Sequence, residues 1–140
     1  MPVITDFVFP RSPEALTLPQ NEESTFFLIF TTSNDPKTGQ SWCPDVRAAL
    51  PYLKASFASQ DSPQAAWVEV GQRDPDALNR WRVSTNVYRT KWNVHNVPTL
   101  VRYQRIDGQV KETGRLVERE ILDSKKLKDL IKPEQQIYSD

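Results

Sequence analysis

Concentrations of β-branched and aromatic residues divide the chain into strand-like segments separated by polar turns. From Thr25 to Thr31 the apolar residues do not alternate with polar ones, a pattern typical of a strand covered on both faces. Asp107-Gly108, between the last two segments, is a strong hairpin signal, so we expect that pair to be antiparallel. The predicted strands cover 3–9, 25–31, 65–70, 99–103 and 110–117.

Helical patterns alternate with these strands, and one long helix follows the second strand after a polar loop. Pro44 fits the first position of that helix, which makes Cys43 its N-cap. Pro51 lies inside the helix and is expected to kink it. The residues predicted to face the core are Val46, Leu50, Leu53 and Phe57.

Three more helices are predicted from start and stop signals. They begin at Ser12, at Asp74 and at Asp123 or Ser124. The first ends before Pro19 and the last stops at Pro133. The predicted core residues are Ala77, Leu78 and Trp81 in the second of these helices and Leu127, Leu130 and Ile131 in the last. The order βαβαβαββα indicates an α/β fold, and we expect a single domain over residues 1–140.

Composition and charge narrow the classes of function. The 18 basic and 18 acidic residues cancel, which argues against binding to nucleic acid or to acidic membranes mainly through charge. No apolar run approaches the roughly 18 residues of a membrane span, and the N-terminal residues lack the apolar core of a secretory signal. We therefore expect a soluble, cytoplasmic monomer that contacts neither nucleic acid nor a membrane.

The chemistry of the chain centres on its one cysteine, Cys43. A single cysteine excludes an internal disulfide, and together with one histidine it excludes standard structural zinc sites. At the start of a helix, unpaired backbone N–H groups and the helix dipole favour a thiolate. Asp45 opposes this through its negative charge, while Trp42 gives the sulfur an apolar flank. Cys43 is therefore predicted to be a reactive thiol.

Val46 stands where a dithiol enzyme carries its second cysteine. In such an enzyme the first cysteine forms a mixed disulfide with the substrate, and a second cysteine one helical turn later resolves it. Valine fills the same space but has no sulfur. A mixed disulfide on Cys43 would need an external thiol such as glutathione, or it would persist. The sequence does not distinguish a natural valine from an engineered one.

The segment from Phe26 to Val46, which contains Ser41-Trp42-Cys43-Pro44-Asp45, resembles the small cytosolic thioredoxin domain-containing protein 17 family, whose motif is WCPDC. The likeness continues through Val70-Gly71, Val94 and Val97-Pro98-Thr99-Leu100, and so covers nearly the whole chain. The WCPD core and the loop before it are the specific part, because ordinary thioredoxins lack that insertion. The VPTL element is shared by many thioredoxin-fold proteins.

This resemblance implies a thioredoxin-like fold, with a central mixed sheet and helices on both faces. It implies a cis peptide bond between Val97 and Pro98 beside Cys43, and a substrate-binding role for Val97, Pro98 and Thr99. There the Val97 backbone would pair with an extended substrate as a strand does. The resemblance also implies reduction of disulfides in a protein or a small molecule, with electrons from thioredoxin reductase and NADPH.

Other candidate residues have simpler explanations. His95 could pair with Cys43 as in a cysteine hydrolase, but a surface histidine on the turn before Pro98 is the favoured interpretation. Trp67, Trp81 and Trp92 are expected in the core. The loop from Ser33 to Gln40 could narrow access to Cys43 or could serve only as a connector.

The region between Glu69 and Arg105 carries seven basic and three acidic residues. If several of the basic residues converge beside Cys43, they could bind the carboxylates of glutathione. A solvated helix face is the favoured alternative, because charges on helix surfaces usually serve solvation. The seven basic residues are Arg73, Arg80, Arg82, Arg89, Lys91, Arg102 and Arg105.

The leading hypothesis is a thioredoxin-like thiol-disulfide oxidoreductase that works as a monothiol. Cys43 would be catalytic, Trp42, Pro44, Asp45 and Val46 would complete the motif, and Val97 to Thr99 would orient the substrate. No bound cofactor or metal is expected, with glutathione as a co-substrate and thioredoxin reductase or glutathione as a partner. The alternative is a noncatalytic thioredoxin-fold binding module that has lost the redox cycle.

Overall fold

The computed structural model describes residues 3–4, 10, 12–13, 16, 25–35, 37–58, 62–71, 81 and 85–131. The strands are β1 (Val3–Ile4), β2 (Thr25–Thr31), β3 (Gln64–Glu69), β4 (Thr99–Ile106) and β5 (Gln109–Val117). The helices are α1 (Pro44–Ser56), α2 (Val87–Thr90) and α3 (Ser124–Ile131), with a 3-10 helix over Glu118–Leu122. Within these residues, no helix is long and apolar enough to cross a membrane.

The five strands form one mixed sheet in the order β1-β3-β2-β4-β5. β3 runs parallel to both β1 and β2, whereas β4 is antiparallel to β2 and to β5. The parallel part needs a crossover, and α1 supplies it between β2 and β3. The antiparallel part is the hairpin of β4 and β5, which turns at Asp107 and Gly108 with both residues at positive φ, 53° and 78°.

The central strand β2 is buried on both faces because its side chains enter two separate cores. Phe26, Leu28 and Phe30 belong to one core with the buried residues Trp81, Trp92 and Tyr103. Phe27 and Ile29 belong to the other core, with Leu53 of α1 and Leu127 of α3. The period of two that defines a strand therefore places aromatic and aliphatic residues under helices on both faces.

Several sequence predictions are confirmed by these elements. The bounds of β2, the start of α1 at Pro44, the hairpin and the burial of Leu127, Leu130 and Ile131 are as expected. β3 begins and ends one residue earlier than predicted. The kink at Pro51 stays a prediction. The predicted helix after Ser12 and the one beginning at Asp74 fall largely outside the described residues, and Trp81 is a buried turn residue.

Two elements were not predicted, namely α2 and the 3-10 helix. Asn86 caps α2 by accepting a hydrogen bond from the Tyr88 N–H at 2.9 Å, and its Nδ2 donates to the Val70 carbonyl at 2.9 Å. The second bond ties α2 to the residue that follows β3. With only four residues, α2 is too short to produce a helical hydrophobic period that the sequence could reveal.

Candidate functional site

The candidate site lies at the edge of the sheet where several chain segments meet. β2 and β3 are parallel and end at this edge, and β4 begins there because Thr99 pairs with Phe30. β5 also ends there, since Val117 pairs with Thr99. The loop after β2, the residues before β4 and those after β5 are therefore brought together. Crevices at the carboxyl ends of parallel strands are common ligand sites.

Cys43 is the N-cap of α1. Its backbone is extended, with φ −100° and ψ 120°. Pro44 is the first residue of the helix, a position where the missing N–H of proline costs no hydrogen bond. The Cys43 N–H donates to Ser41 Oγ at 3.1 Å, and Ser41 is itself held by a short hydrogen bond to Thr32. The side chain makes no capping hydrogen bond. Cys43 is partly exposed, and its thiol does not cap the helix.

The segment before β4 faces this sulfur. The peptide bond between Val97 and Pro98 is cis, and the Val97 carbonyl oxygen lies 3.9 Å from Cys43 Sγ. Thr99 anchors the turn, because its Oγ1 donates to the Asn96 carbonyl at 2.6 Å. A backbone carbonyl is thus held beside the only thiol of the chain.

A cavity of about 190 Å³ lies next to the sulfur. Trp42, Cys43 and Asp45 at the start of α1 form one part of its wall, and Asn96 and Val97 form another. A volume of this size accommodates a group about as large as one amino-acid side chain with its backbone. The arrangement can therefore bring a small disulfide, or one residue of a larger one, against Cys43.

Trp81, Arg89, His95 and Glu118 complete the lining of this cavity. The Nε of Arg89 donates to the Trp81 carbonyl at 2.7 Å, and its guanidinium carbon lies 3.9 Å from the centroid of the Trp81 ring. This cation–π contact fixes Arg89 against the wall. For the neighbouring residue on α2, Tyr88, burial and then the charge of Glu69 raise the pKa of the phenol.

Two residues of the motif, Val46 and Trp42, pack against the core, and Trp42 also lines the cavity. Val46 is 1% exposed and packs in the core that contains Phe30 and Trp92. Trp42 is partly buried against the same core, and its indole Nε1 is buried without a hydrogen-bond partner. Val46 therefore fills the space one helical turn below Cys43 with hydrocarbon, and it offers no group that could react with a disulfide there.

Comparison with known proteins gives this arrangement a family. The model of the thioredoxin domain of thioredoxin domain-containing protein 17-like proteins matches residues 9–133. The chain belongs to this family. Membership in this family supports a thioredoxin-like function in general. The matched thioredoxin domain accounts for nearly the whole chain.

Similar proteins from three organisms match between about half and four fifths of this chain. A thioredoxin domain-containing protein from Schizosaccharomyces pombe is 36% identical over 79% of this chain and 85% of that protein. Thioredoxin-like protein Clot from Arabidopsis thaliana is 35% identical over 55% of this chain and 56% of that protein. Thioredoxin domain-containing protein 17 from Homo sapiens is 31% identical over 60% of this chain and 64% of that protein.

A solved structure supports the fold independently of sequence. The crystal structure of a thioredoxin from Plasmodium falciparum matches with a TM-score of 0.50 and covers 79% of this chain and 74% of that one. The two sequences are only 11% identical, so this likeness concerns the fold. The thioredoxin-like α/β fold predicted from the sequence is confirmed.

The other residues singled out in the sequence fall in different places around this thioredoxin-family site. His95 lines the cavity, but its Nε2 is hydrogen-bonded to Asn93 Oδ1 at 2.7 Å, while the recorded contact of Cys43 Sγ is with Val97. A cysteine–histidine pair is therefore not formed between these two residues. Trp81 and Trp92 are buried, as expected for core residues, whereas Trp67 is only partly buried and packs against the core that contains Phe27.

Of the basic residues that could have converged on Cys43, Arg89 lines the cavity among those the structure describes. Arg102 lies elsewhere, where it donates to the Leu130 carbonyl at 2.9 Å and to Thr113. Lys91 and Arg105 do not line the cavity, and Arg73, Arg80 and Arg82 fall outside the described residues. In the described part of the chain, several basic residues therefore do not converge beside Cys43.

The loop before the motif is connected to the site at its C-terminal end. Asn34 and Ser41 form an isolated antiparallel bridge, and the Asp35 N–H donates to the Gln40 carbonyl at 2.7 Å. The described residues of this loop are not among those that line the Cys43 cavity, and they border a separate cavity with Arg47. The loop leads into Ser41, whose Oγ accepts a hydrogen bond from the Cys43 N–H.

Sequence reasoning missed Glu118, Asn96 and the position of Arg89. Glu118 follows directly after β5, so its place depends on the register of β4 and β5, and the place of Arg89 depends on the unpredicted α2. Across the described residues, no group of three or more His, Cys, Asp or Glu side chains is placed to hold a metal ion.

Proposed function

We propose that the protein is a thiol–disulfide oxidoreductase of thioredoxin type that works through a single thiol, Cys43. One observation carries the proposal, namely that Cys43 is partly exposed at the N-terminus of α1, lines a cavity and has its sulfur 3.9 Å from the Val97 carbonyl oxygen. A helix N-terminus favours the thiolate, which is the attacking form. A sulfur sealed in the core would have argued against this chemistry.

The reaction consists of three thiol–disulfide exchanges, of which the first two involve Cys43. In the first, the Cys43 thiolate attacks one sulfur of a substrate disulfide, forms a mixed disulfide and releases the other sulfur as a thiolate, which takes up a proton. In the second, an external thiolate attacks the substrate sulfur of the mixed disulfide and expels Cys43 as a thiolate. A second external thiol then reduces the new disulfide, so two external thiols supply both electrons.

The external thiol is needed because Val46 cannot resolve the mixed disulfide. Glutathione is the abundant cytoplasmic thiol that suits this role, and Val97, Pro98 and Thr99 would orient the substrate as an extended segment. In this account glutathione is a co-substrate, and direct reduction of Cys43 by thioredoxin reductase is the less favoured route. The cytoplasmic location and the monomeric state remain predictions from the sequence.

Intact mass spectrometry tests the proposal. The reduced protein, treated with oxidised glutathione, is expected to gain one glutathione on Cys43 and to lose it again when reduced glutathione is added. Cys43→Ser is the matched control and should gain nothing. A thiol that does not react under these conditions, although the protein is folded by circular dichroism, would contradict the proposal.

A noncatalytic binding module is the second candidate, and the burial of Val46 in place of a second sulfur favours it. Such a module would keep the groove beside Val97 but would not cycle. The same experiment separates the two candidates. An adduct that forms but is not released by reduced glutathione indicates capture without turnover and favours the binding module.

A further inference from the structure

Glu118 is fixed at the mouth of the Cys43 cavity by its backbone. It is the first residue of the 3-10 helix that follows β5, and its φ of 52° is in the left-handed region that few non-glycine residues adopt. Its N–H donates to the Pro98 carbonyl at 2.8 Å. Non-glycine residues in this conformation are concentrated at functional sites, and here the hydrogen bond links Glu118 directly to the proline that follows Val97.

A second hydrogen bond holds the same turn. The N–H of Val117, the residue before Glu118, donates to Glu120 Oε1 at 2.9 Å. Both bonds use backbone N–H groups of the turn, so neither engages the carboxylate of Glu118. Glu118 lines the cavity that Cys43 borders and is partly buried.

The charges that line this cavity are unevenly compensated. Asp45 and Glu118 each contribute a carboxylate, and among the described residues neither forms an ion pair. Among the described lining residues Arg89 carries a positive charge, and it contacts Trp81 through its Nε and its guanidinium plane. The described lining therefore brings two carboxylates and one guanidinium together around Cys43.

We propose that Glu118 is a specificity-determining residue that, together with Asp45, favours disulfides and thiols with a positive charge close to the sulfur. The proposal rests on the proposed function of Cys43 as the attacking thiol. A cationic group that enters the cavity gains from the two carboxylates, whereas an anionic one is repelled, and both effects are strengthened because the cavity is partly shielded from water. The substrate class is therefore a disulfide flanked by an ammonium or guanidinium group.

The inference also concerns the thiol that releases Cys43. Glutathione carries a net negative charge and a second one as a thiolate, so the carboxylates of the cavity slow its approach. A cationic thiol such as cysteamine is expected to resolve the mixed disulfide faster than its intrinsic nucleophilicity alone would give. In the cell, the high concentration of glutathione would compensate for this slower approach.

The test compares three small disulfides of different charge: cystamine, which is cationic, bis-hydroxyethyl disulfide, which is neutral, and dithiodipropionate, which is anionic. The rate of adduct formation on Cys43 is measured by intact mass for the wild-type protein and for Glu118→Gln. Because each disulfide has its own leaving group, the wild-type rate is divided by the variant rate for each compound. In this quotient the intrinsic reactivity of each disulfide cancels.

The quotient for cystamine is expected to exceed that for dithiodipropionate about five-fold at low salt, with the neutral compound between them. The ratio of these two quotients should fall towards one at high salt, because partly exposed charges are screened. Asp107→Asn is the control. It removes one negative charge from the hairpin turn, at the far end of β4 from Pro98, and asparagine tolerates the positive φ there. Its three quotients should be equal.

The outcomes separate the two proposals. Equal quotients for Glu118→Gln, whether all unchanged or all shifted together, would overturn the specificity role and leave Cys43 chemistry intact. A wild-type protein that reacts with none of the three disulfides would overturn the proposed function, and the specificity role with it. If Glu118→Gln does not fold, Asp45→Asn provides the same comparison, with the same order of quotients expected and equal quotients contradicting the proposal.

Discussion

Replacing Val46 with cysteine is expected to turn the protein into a dithiol disulfide reductase that no longer needs an external thiol. The side chain at this position is 1% exposed and lies one helical turn after Cys43 on α1. A sulfur there would attack the mixed disulfide within the same molecule, and well-oriented intramolecular groups react far faster than free ones. Disulfide reduction coupled to NADPH through thioredoxin reductase should rise by about 100-fold or more over the wild type.

Val46→Ser is the matched control for this gain. Serine has the size of cysteine but no nucleophilic sulfur, so its activity with thioredoxin reductase should stay at the level of the wild type. NADPH consumption in the presence of a disulfide substrate measures both variants. If Val46→Cys forms its internal disulfide, as shown by mass, yet consumes no more NADPH than Val46→Ser, the groove has diverged from that of a reductase.

The largest expected effect on stability comes from Phe27→Ala. Phe27 is fully buried on β2, and its ring centroid lies 5.3 Å from that of Phe57, the residue that ends α1. Truncating a buried phenylalanine removes its transfer free energy and leaves a cavity, and such changes cost about 3–5 kcal/mol. Since a domain of this size is stable by roughly 5–15 kcal/mol, a large share of the margin would be lost.

Urea unfolding followed by circular dichroism measures this loss as a fall in the midpoint. Phe27→Leu is the graded control, because it keeps most of the volume and should cost less than about 1.5 kcal/mol. Similar midpoints for wild type and Phe27→Ala would mean that this pair does not hold α1 against the sheet. The position of Cys43 would then need another explanation, since it depends on where α1 begins.

Much of the fold follows from local signals in the sequence. The uninterrupted apolar run of β2 needs cover on both faces, and the structure places Phe27 and Phe30 in two different cores. Pro44 and the Asp107-Gly108 turn carry their own backbone restraints, so the start of α1 and the hairpin were predictable. α2 was not, because four residues capped by Asn86 depend on a tertiary hydrogen bond to Val70.

The residues of the site likewise fall into those that the sequence predicted and those that it did not. Cys43 at an N-cap and its nearness to Val97 were expected, the first from the proline after it and the second from family resemblance. Glu118 was missed because its place depends on the register of β4 and β5. An ideal hairpin from the turn would pair Thr99 with Leu116, but a shift at Arg102 pairs Thr99 with Val117.

That shift has the form of a β-bulge and is bridged by a side chain of β4. On β5 the bulge lies beside Thr113, because Arg102 pairs with Gly114 whereas Tyr103 pairs with Glu112. Arg102 holds it by donating to Thr113 Oγ1 at 2.9 Å and to the Thr113 carbonyl at 2.8 Å. One inserted residue moves every later partner along the strand, so the contact of Glu118 with the site could not be read from the turn alone.

The central claim, that Cys43 turns over without a second cysteine, is tested most directly by counting turnovers. The wild-type protein is incubated with a large excess of a disulfide substrate and of reduced glutathione, and product is followed against Cys43→Ser. The account predicts many product molecules per protein molecule above the uncatalysed exchange, with no accumulation of a mixed disulfide on the protein. Product that stops at one equivalent, with the mixed disulfide retained on Cys43, would contradict it.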